Sequence, residues 1–184
     1  MTGLAPIWSE TCSSIDGVPL GDAWPCSSMP YDPEEPWESI VPFHRLNQWL
    51  AYSLMPPMTS LLGVRFAGAE LLTGLPECRN GGLLIDTGLI TLRGDAAKRG
   101  LAAYRENAMI EGQPNVEVVP LFATEDDVIV EWRAVTIGML DELLIEVNAL
   151  LGLRGANKLS LAQMLEAGTW KVRCCYETIL LELC

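Results

Sequence analysis

The strongest constraint in this sequence is the stretch from Val128 to Leu151, which is apolar around too much of its circumference to lie on a surface. Thr124-Glu125-Asp126-Asp127 stands before it. These side chains accept hydrogen bonds from the first unpaired amides of a helix, and their charges suit the positive end of its dipole. Gly152 follows, a residue type that ends helices by entering the left-handed region. Val128, Trp132, Val135, Met139, Leu143, Val147 and Leu150 recur at spacings of three and four, while Val130, Ile137, Leu140 and Leu144 widen the stripe. The spacing predicts a central helix to about Leu151, buried on several sides.

The other elements arrange themselves around that helix. Pro42 suits a first helical turn and Pro56-Pro57 suit a stop, so a helix is expected from Phe43 to Met55. Leu46, Leu50 and Leu54 form its packing stripe, led by Phe43, and His44, Asn47, Gln48 and Ala51 fall on another side. Residues 83 to 92 are nearly all apolar after an Arg79-Asn80-Gly81-Gly82 turn, and periodicity leaves buried helix and hairpin both open. Asp95 can cap a helix to Asn107, and Val116, Val118 and Val119 suit a strand within 114 to 120. Ser160 and Gln163 make a capping box for a last helix ending near Gly168. Residues 1 to 40 form a Pro- and Gly-rich arm whose Trp8, Trp24, Tyr31 and Trp37 need a surface to lie on. The fold class is mainly α, with one or two short strands.

Length and charge exclude several functions. A chain of 184 residues suits one domain with a genuine core. With 24 acidic against 12 basic residues its formal charge is -12, which repels a nucleic-acid backbone. The apolar share is 49 % and the mean hydropathy +0.23. No run approaches the roughly 20 apolar residues that span a bilayer, so a protein partner or homo-oligomer contact through exposed apolar surface is expected instead of a membrane. Met-Thr-Gly-Leu-Ala-Pro at the start lacks a basic and then apolar leader, which points to the cytoplasm. Cysteines at 12, 26, 78, 174, 175 and 184 show no CxxC spacing, and His44 is the only histidine. No metal and no cofactor are expected, and the thiols read as small core residues.

Chemistry concentrates in Leu75-Pro76-Glu77-Cys78-Arg79-Asn80-Gly81-Gly82. A carboxylate and a guanidinium two residues apart precede a double glycine that lets a ligand approach the backbone closely. The alternative is a surface turn with a salt-bridged Glu and Arg. Asp86 interrupts an apolar run, and Glu131 and Arg133 interrupt the front of the central helix; buried charges are costly unless paired or used. Pairing of Arg133 with a carboxylate from 77 to 86 competes with a functional role. Cys78 lacks a neighbouring base and does not read as a nucleophile.

Three segments together resemble a known family: Val41-Pro42-Phe43-His44-Arg45-Leu46-Asn47-Gln48-Trp49-Leu50, Leu72 to Leu83, and Val130-Glu131-Trp132-Arg133-Ala134. They are similar to the microbial uracil-catabolism proteins, formerly a domain of unknown function. Leu20-Gly21-Asp22-Ala23-Trp24 and Gly168-Thr169-Trp170 fit the same family. The resemblance covers residues 15 to 170 and corresponds to the second half of a fold about twice this length. It implies a helical domain of catalytic type over 41 to 170, an incomplete one, and a divergent tail over 171 to 184.

The same segments are more distantly similar to the queuosine-salvage family, a helical DNA-glycosylase-like fold that hydrolyses an N-ribosyl bond. That family's pattern is Phe-Tyr-Lys-Arg-Ala-Gln, then Asp-Tyr-Arg, then Glu-x-Arg-Ala. The likeness implies Arg45 in place of a substrate-contacting lysine and Glu77 in place of the catalytic aspartate, with Arg79, Glu131 and Arg133 as matching charged residues. The expected function is an N-ribosyl hydrolase of uracil breakdown acting on a small nucleoside-like substrate such as ribosylurea. Glu77 is its central carboxylate, supported by Asp86 or Glu131, while His44, Arg45, Gln48, Arg79, Asn80 and Arg133 bind substrate. The competing expectation is a non-catalytic helical module acting through protein association.

Overall fold

The computed structural model describes residues 13–107 and 119–171. An Asp16-Gly17 pair, both with positive φ, turns the first hairpin, β1 (Ser14–Ile15) against β2 (Val18–Pro19). Such pairs match the twist of two-residue hairpin loops. β3 (Ala23–Pro25) then pairs antiparallel with β4 (Ile40–Pro42), Trp24 opposite Val41. Among the described residues the fold is otherwise helical: α1 (Arg45–Leu62), α2 (Cys78–Asp86), α3 (Gly94–Asn107), α4 (Asp127–Leu150) and α5 (Leu161–Met164). A π-turn, Leu165–Thr169, extends α5.

α4 is the spine. Asp126 caps it by accepting from the Val128 amide, as the acidic cluster predicts. Its side chains enter three separate cores. Val130, with Ala134 and Ile137, meets Trp24, Cys26 and Phe43. Leu140, with Leu143, Leu144 and Val147, meets Leu75, Met164 and Leu165. Ile129 meets Ala96 and Phe122. The predicted stripe is displaced by part of a turn: Val135 and Leu150 are exposed, and Ile129, Thr136 and Asn148 are buried in their place. Trp24 and Cys26 belong to a core cluster, so the part of the 1–40 arm around them is built into the body, while residues 27–38 are exposed. Trp37 and Tyr31 remain exposed.

α1 departs from expectation in two ways. It runs through Pro56 and Pro57 to Leu62 instead of ending before them. Each proline removes an amide donor, but no residue of this helix is buried, so water can meet the carbonyls left over. The Leu46, Leu50 and Leu54 stripe faces outward with Trp49, and Gln48 and Tyr52 face the body. Three hydrogen bonds to Thr73 decide that orientation: Gln48 Nε2 donates to Thr73 Oγ1 at 2.6 Å, the Thr73 amide to Gln48 Oε1 at 2.9 Å, and the Tyr52 hydroxyl to the Thr73 carbonyl at 2.9 Å.

The segment left open between helix and hairpin is helical to Asp86 and turns at Gly88, φ 72°. Its double glycine lies inside α2, not in a turn. An added Cβ on Gly81 would stand 2.4 Å from Trp132 Cζ2 and 2.6 Å from Thr136 Oγ1, so the missing side chain serves helix packing and not ligand approach. Asp95 sits inside the first turn of α3, and the expected capping box of Ser160 and Gln163 is present. Of the strand expected within 114 to 120, residues 114–118 lie outside the described residues. No helix among the described residues is long and apolar enough to cross a membrane.

Candidate functional site

Asp22 is the hub of a buried polar cluster. Its backbone carbonyl accepts from the amides of Phe43 at 2.8 Å and His44 at 3.1 Å. Oδ1 accepts from Trp24 Nε1 at 2.9 Å and Arg133 Nη1 at 2.8 Å. Oδ2 accepts from the Arg45 amide at 3.1 Å and Arg133 Nη2 at 2.6 Å. The Arg133 guanidinium also lies 4.0 Å from the centroid of the fully buried Phe43 ring. Burial alone would raise the Asp22 carboxyl, but the bidentate Arg133, the Trp24 indole and the Arg45 amide outweigh it and hold the group below the ordinary carboxylate range. The partner expected for Arg133 from residues 77 to 86 is therefore replaced by Asp22, on the strand side of the molecule.

This cluster shapes the start of α1. Phe43, His44 and Arg45 supply three successive amides to one residue, and between them His44 adopts φ 45°, ψ 39°. One turn on, Gln48 is tied to Thr73, and Gly74 packs against Leu140. The Tyr52 hydroxyl closes the same junction; burial, with the nearby Asp141 charge, pushes its pKa up to about 12, so it remains a donor. Glu77 follows four residues after Thr73. It is half-buried, extended (φ -134°), and precedes α2 without its side chain capping it. Its amide donates to the Leu75 carbonyl and its own carbonyl accepts from Gly81.

The remaining candidates are dispersed. Arg79 is exposed, 5.8 Å over the Trp170 ring. Asn80 is wholly buried and ties Leu75 to Thr169: its Nδ2 donates to the Leu75 carbonyl at 2.8 Å, and its Oδ1 accepts from Thr169 Oγ1 at 2.6 Å. That is a packing role, since both ends of its amide are committed. Asp86 lies at the other end of α2 from Glu77, roughly 13 Å along the axis at 1.5 Å per residue. Glu131 is about 200° around α4 from Arg133. It pairs with Arg93 at 2.6 Å, at the rim of a cleft of about 800 Å³ floored by Ile85, Phe122, Ile129 and Trp132. No other candidate lines that cleft. Among the described residues no three His, Cys, Asp or Glu side chains gather as metal ligands would.

Asp22 is the hub that residue-type reasoning missed. Its signal was present: an arginine in an apolar helix demands an acid, and Asp22 precedes a tryptophan in Leu20-Gly21-Asp22-Ala23-Trp24.

Fold and site together define a helical domain built on one spine helix, with a polar cluster where its N-terminal half meets a short hairpin. The chain belongs to the family described as "Protein of unknown function (DUF1688)", whose profile matches residues 1–173. It is 44 % identical over 175 residues to "Uracil catabolism protein 4" of Lachancea kluyveri, a match covering 93 % of this chain and 38 % of that protein. It is 44 % identical over 170 residues to "Protein urg3" of Schizosaccharomyces pombe (strain 972 / ATCC 24843), covering 92 % of this chain and 35 % of that one. The chain thus spans little more than a third of the length of these curated relatives. No solved structure matches it.

Proposed function

We propose that this chain acts in uracil catabolism and carries an N-ribosyl-cleaving site for a small nucleoside-like substrate such as ribosylurea, with Glu77 as its carboxylate. The pathway is supported by the name of the Lachancea kluyveri relative. The site is supported chiefly by one observation, the clasp of Gln48 on Thr73. It ties the start of α1, with His44 and Arg45, to the segment leading into Glu77. In this reading Glu77 stabilises the cation-like ribosyl carbon as the C–N bond breaks. Water attacks that carbon, its proton passes to Glu77 and then to the departing nitrogen, and ribosylurea plus water gives ribose plus urea.

The decisive measurement is urea release from ribosylurea by the wild-type chain and two variants. Glu77→Gln is expected to lose activity by at least about 100-fold with an unchanged melting temperature. Glu131→Gln, on the opposite face of α4, is expected to retain it. An active Glu77→Gln, or a wild-type chain that releases no urea, overturns the proposal.

A second reading is favoured by the outward face of α1, where Leu46, Trp49, Leu50 and Leu54 are all exposed. Here the chain acts by association, with that face covered by the remainder of a longer family protein. A chain inactive alone that gains urea release when mixed with the unmatched portion of the Lachancea kluyveri protein would favour this reading.

A further inference from the structure

Two buried polar side chains meet where α2 begins. Asn80 and Thr169 are 0 % and 3 % exposed, stand 89 positions apart, and share one hydrogen bond, Thr169 Oγ1 donating to Asn80 Oδ1 at 2.6 Å. A satisfied buried pair of this kind fixes one geometry, because either group is penalised when it leaves its partner. What it fixes is decided by the other end of the Asn80 amide.

Asn80 Nδ2 donates to the Leu75 carbonyl at 2.8 Å, and the same carbonyl accepts from the Glu77 amide at 2.9 Å. Leu75, Pro76 and Glu77 thereby form a three-residue turn with proline at its centre, where its fixed φ suits the turn. On the far side the Glu77 carbonyl accepts from the Gly81 amide at 2.8 Å. The backbone of Glu77 is thus held from both directions, while its side chain takes no part in capping α2.

Thr169 reaches Asn80 through an unusual element, the π-turn Leu165–Thr169, a form that recurs at functional sites. Its wider ring carries the residues that end it round the axis relative to a continuous α-helix. The next residue, Trp170, meets Arg79, the neighbour of Asn80. Two successive residues of one element therefore grip two successive residues of α2, directly after Glu77.

We infer that Asn80 and Thr169 are positioning residues that set the Glu77 carboxylate against the substrate, acting through the Leu75 carbonyl and touching no substrate themselves. The inference rests on the N-ribosyl reading above and deepens it by naming what holds its carboxylate in place. A reacting group displaced by about 1 Å loses about 100-fold in rate, so the tie has a kinetic signature that packing alone lacks.

Thr169→Val keeps the side-chain shape and removes the donor. Its kcat for urea release from ribosylurea, expressed per folded chain, is expected to fall about 10- to 100-fold with KM little changed. Thr169→Ser returns the donor and is expected to restore most of the turnover. Thr169→Val leaves Asn80 Oδ1 buried without that donor; should it unfold, Thr169→Val with Asn80→Leu removes both polar groups and is read in the same way.

A variant lacking the Thr169 donor that turns over at the wild-type rate, whatever its melting temperature, makes the pair a packing tie and overturns the inference. So does a Thr169→Ser as slow as Thr169→Val, or a loss confined to KM. In each of these cases an inactive Glu77→Gln leaves the N-ribosyl reading standing. A wild-type chain that releases no urea, or an active Glu77→Gln, removes that reading and this inference with it.

Discussion

Arg133 and Glu131 are two residues apart on one helix, and each makes an ion pair, yet the two pairs are different objects. Arg133 and Asp22 have side-chain exposures of 13 % and 9 %; Arg93 and Glu131 have 73 % and 31 %. The first pair is bidentate, lies on an aromatic ring and organises three backbone amides. The second is a single contact at the rim of a cleft. In water the attraction of two charges barely exceeds the cost of ordering the side chains, whereas inside a protein an unpartnered charge is severely penalised. Charge content alone therefore says little about α4; the face on which each charge emerges decides its role.

That contrast can be broken at its strong end first. Arg133→Ala leaves the Asp22 carboxylate buried without its cation and is expected to cost about 3–5 kcal/mol in urea unfolding. Asp22→Asn with Arg133→Met is expected to recover most of that loss, since neither charge remains; a double variant as unstable as Arg133→Ala would mean the pair is not the source of the cost.

The same pair should be visible in pH. Asp22 is held below its ordinary value of 3.8 in the folded chain, so its stabilisation is complete above that value and disappears as pH falls through the lower folded value. Asp126 shifts in the same direction, through its hydrogen bonds from Arg99. The stability difference between wild type and Asp22→Asn isolates the first group. It is expected to be flat near neutral pH and to shrink under acid, and a difference that grows on acidification would contradict the direction assigned to Asp22.

On the flank facing α2, Gly81→Ala is expected to cost about 1–3 kcal/mol, because the new methyl meets the Trp132 ring. A neutral Gly81→Ala would show that α2 and α4 can separate freely. The smallest effect belongs to the exposed pair: Glu131→Gln is expected to change stability by about 0–1 kcal/mol, less at high salt. A larger, salt-independent loss would erase the distinction between the two faces.

What the sequence made legible was local. The Asp126 cap and the Ser160–Gln163 box involve residues within three positions of their partners, and both are present. The course of α4 followed from the same local rules, though its buried face is rotated because three cores, not one, share it. The outward face of α1 was not legible. Its leucines mark a packing stripe by periodicity, but Gln48 and Tyr52 bind Thr73, more than twenty residues away, and those contacts turn the helix. Gly81 and Gly82 carried a similar ambiguity: close backbone approach was readable, but not that the approaching group is Trp132. In the candidate site, His44, Arg45 and Arg133 were named from residue type and resemblance, and their common partner Asp22 was not, because no local rule links it to Arg133.

The separation of Asp22 from Arg133, 111 positions in sequence, also bears on the order of assembly. A contact of that span closes a long loop and gains nothing until both ends are held by the fold between them. As the chain is synthesised from its N-terminus, the turn at His44 emerges well before the helix that completes its support. The amides of Phe43, His44 and Arg45 can meet Asp22 early, but the carboxylate gains its cation only when α4 docks on the hairpin. A partly folded chain would lack that last support, so the Arg133–Asp22 contact reports that folding has finished.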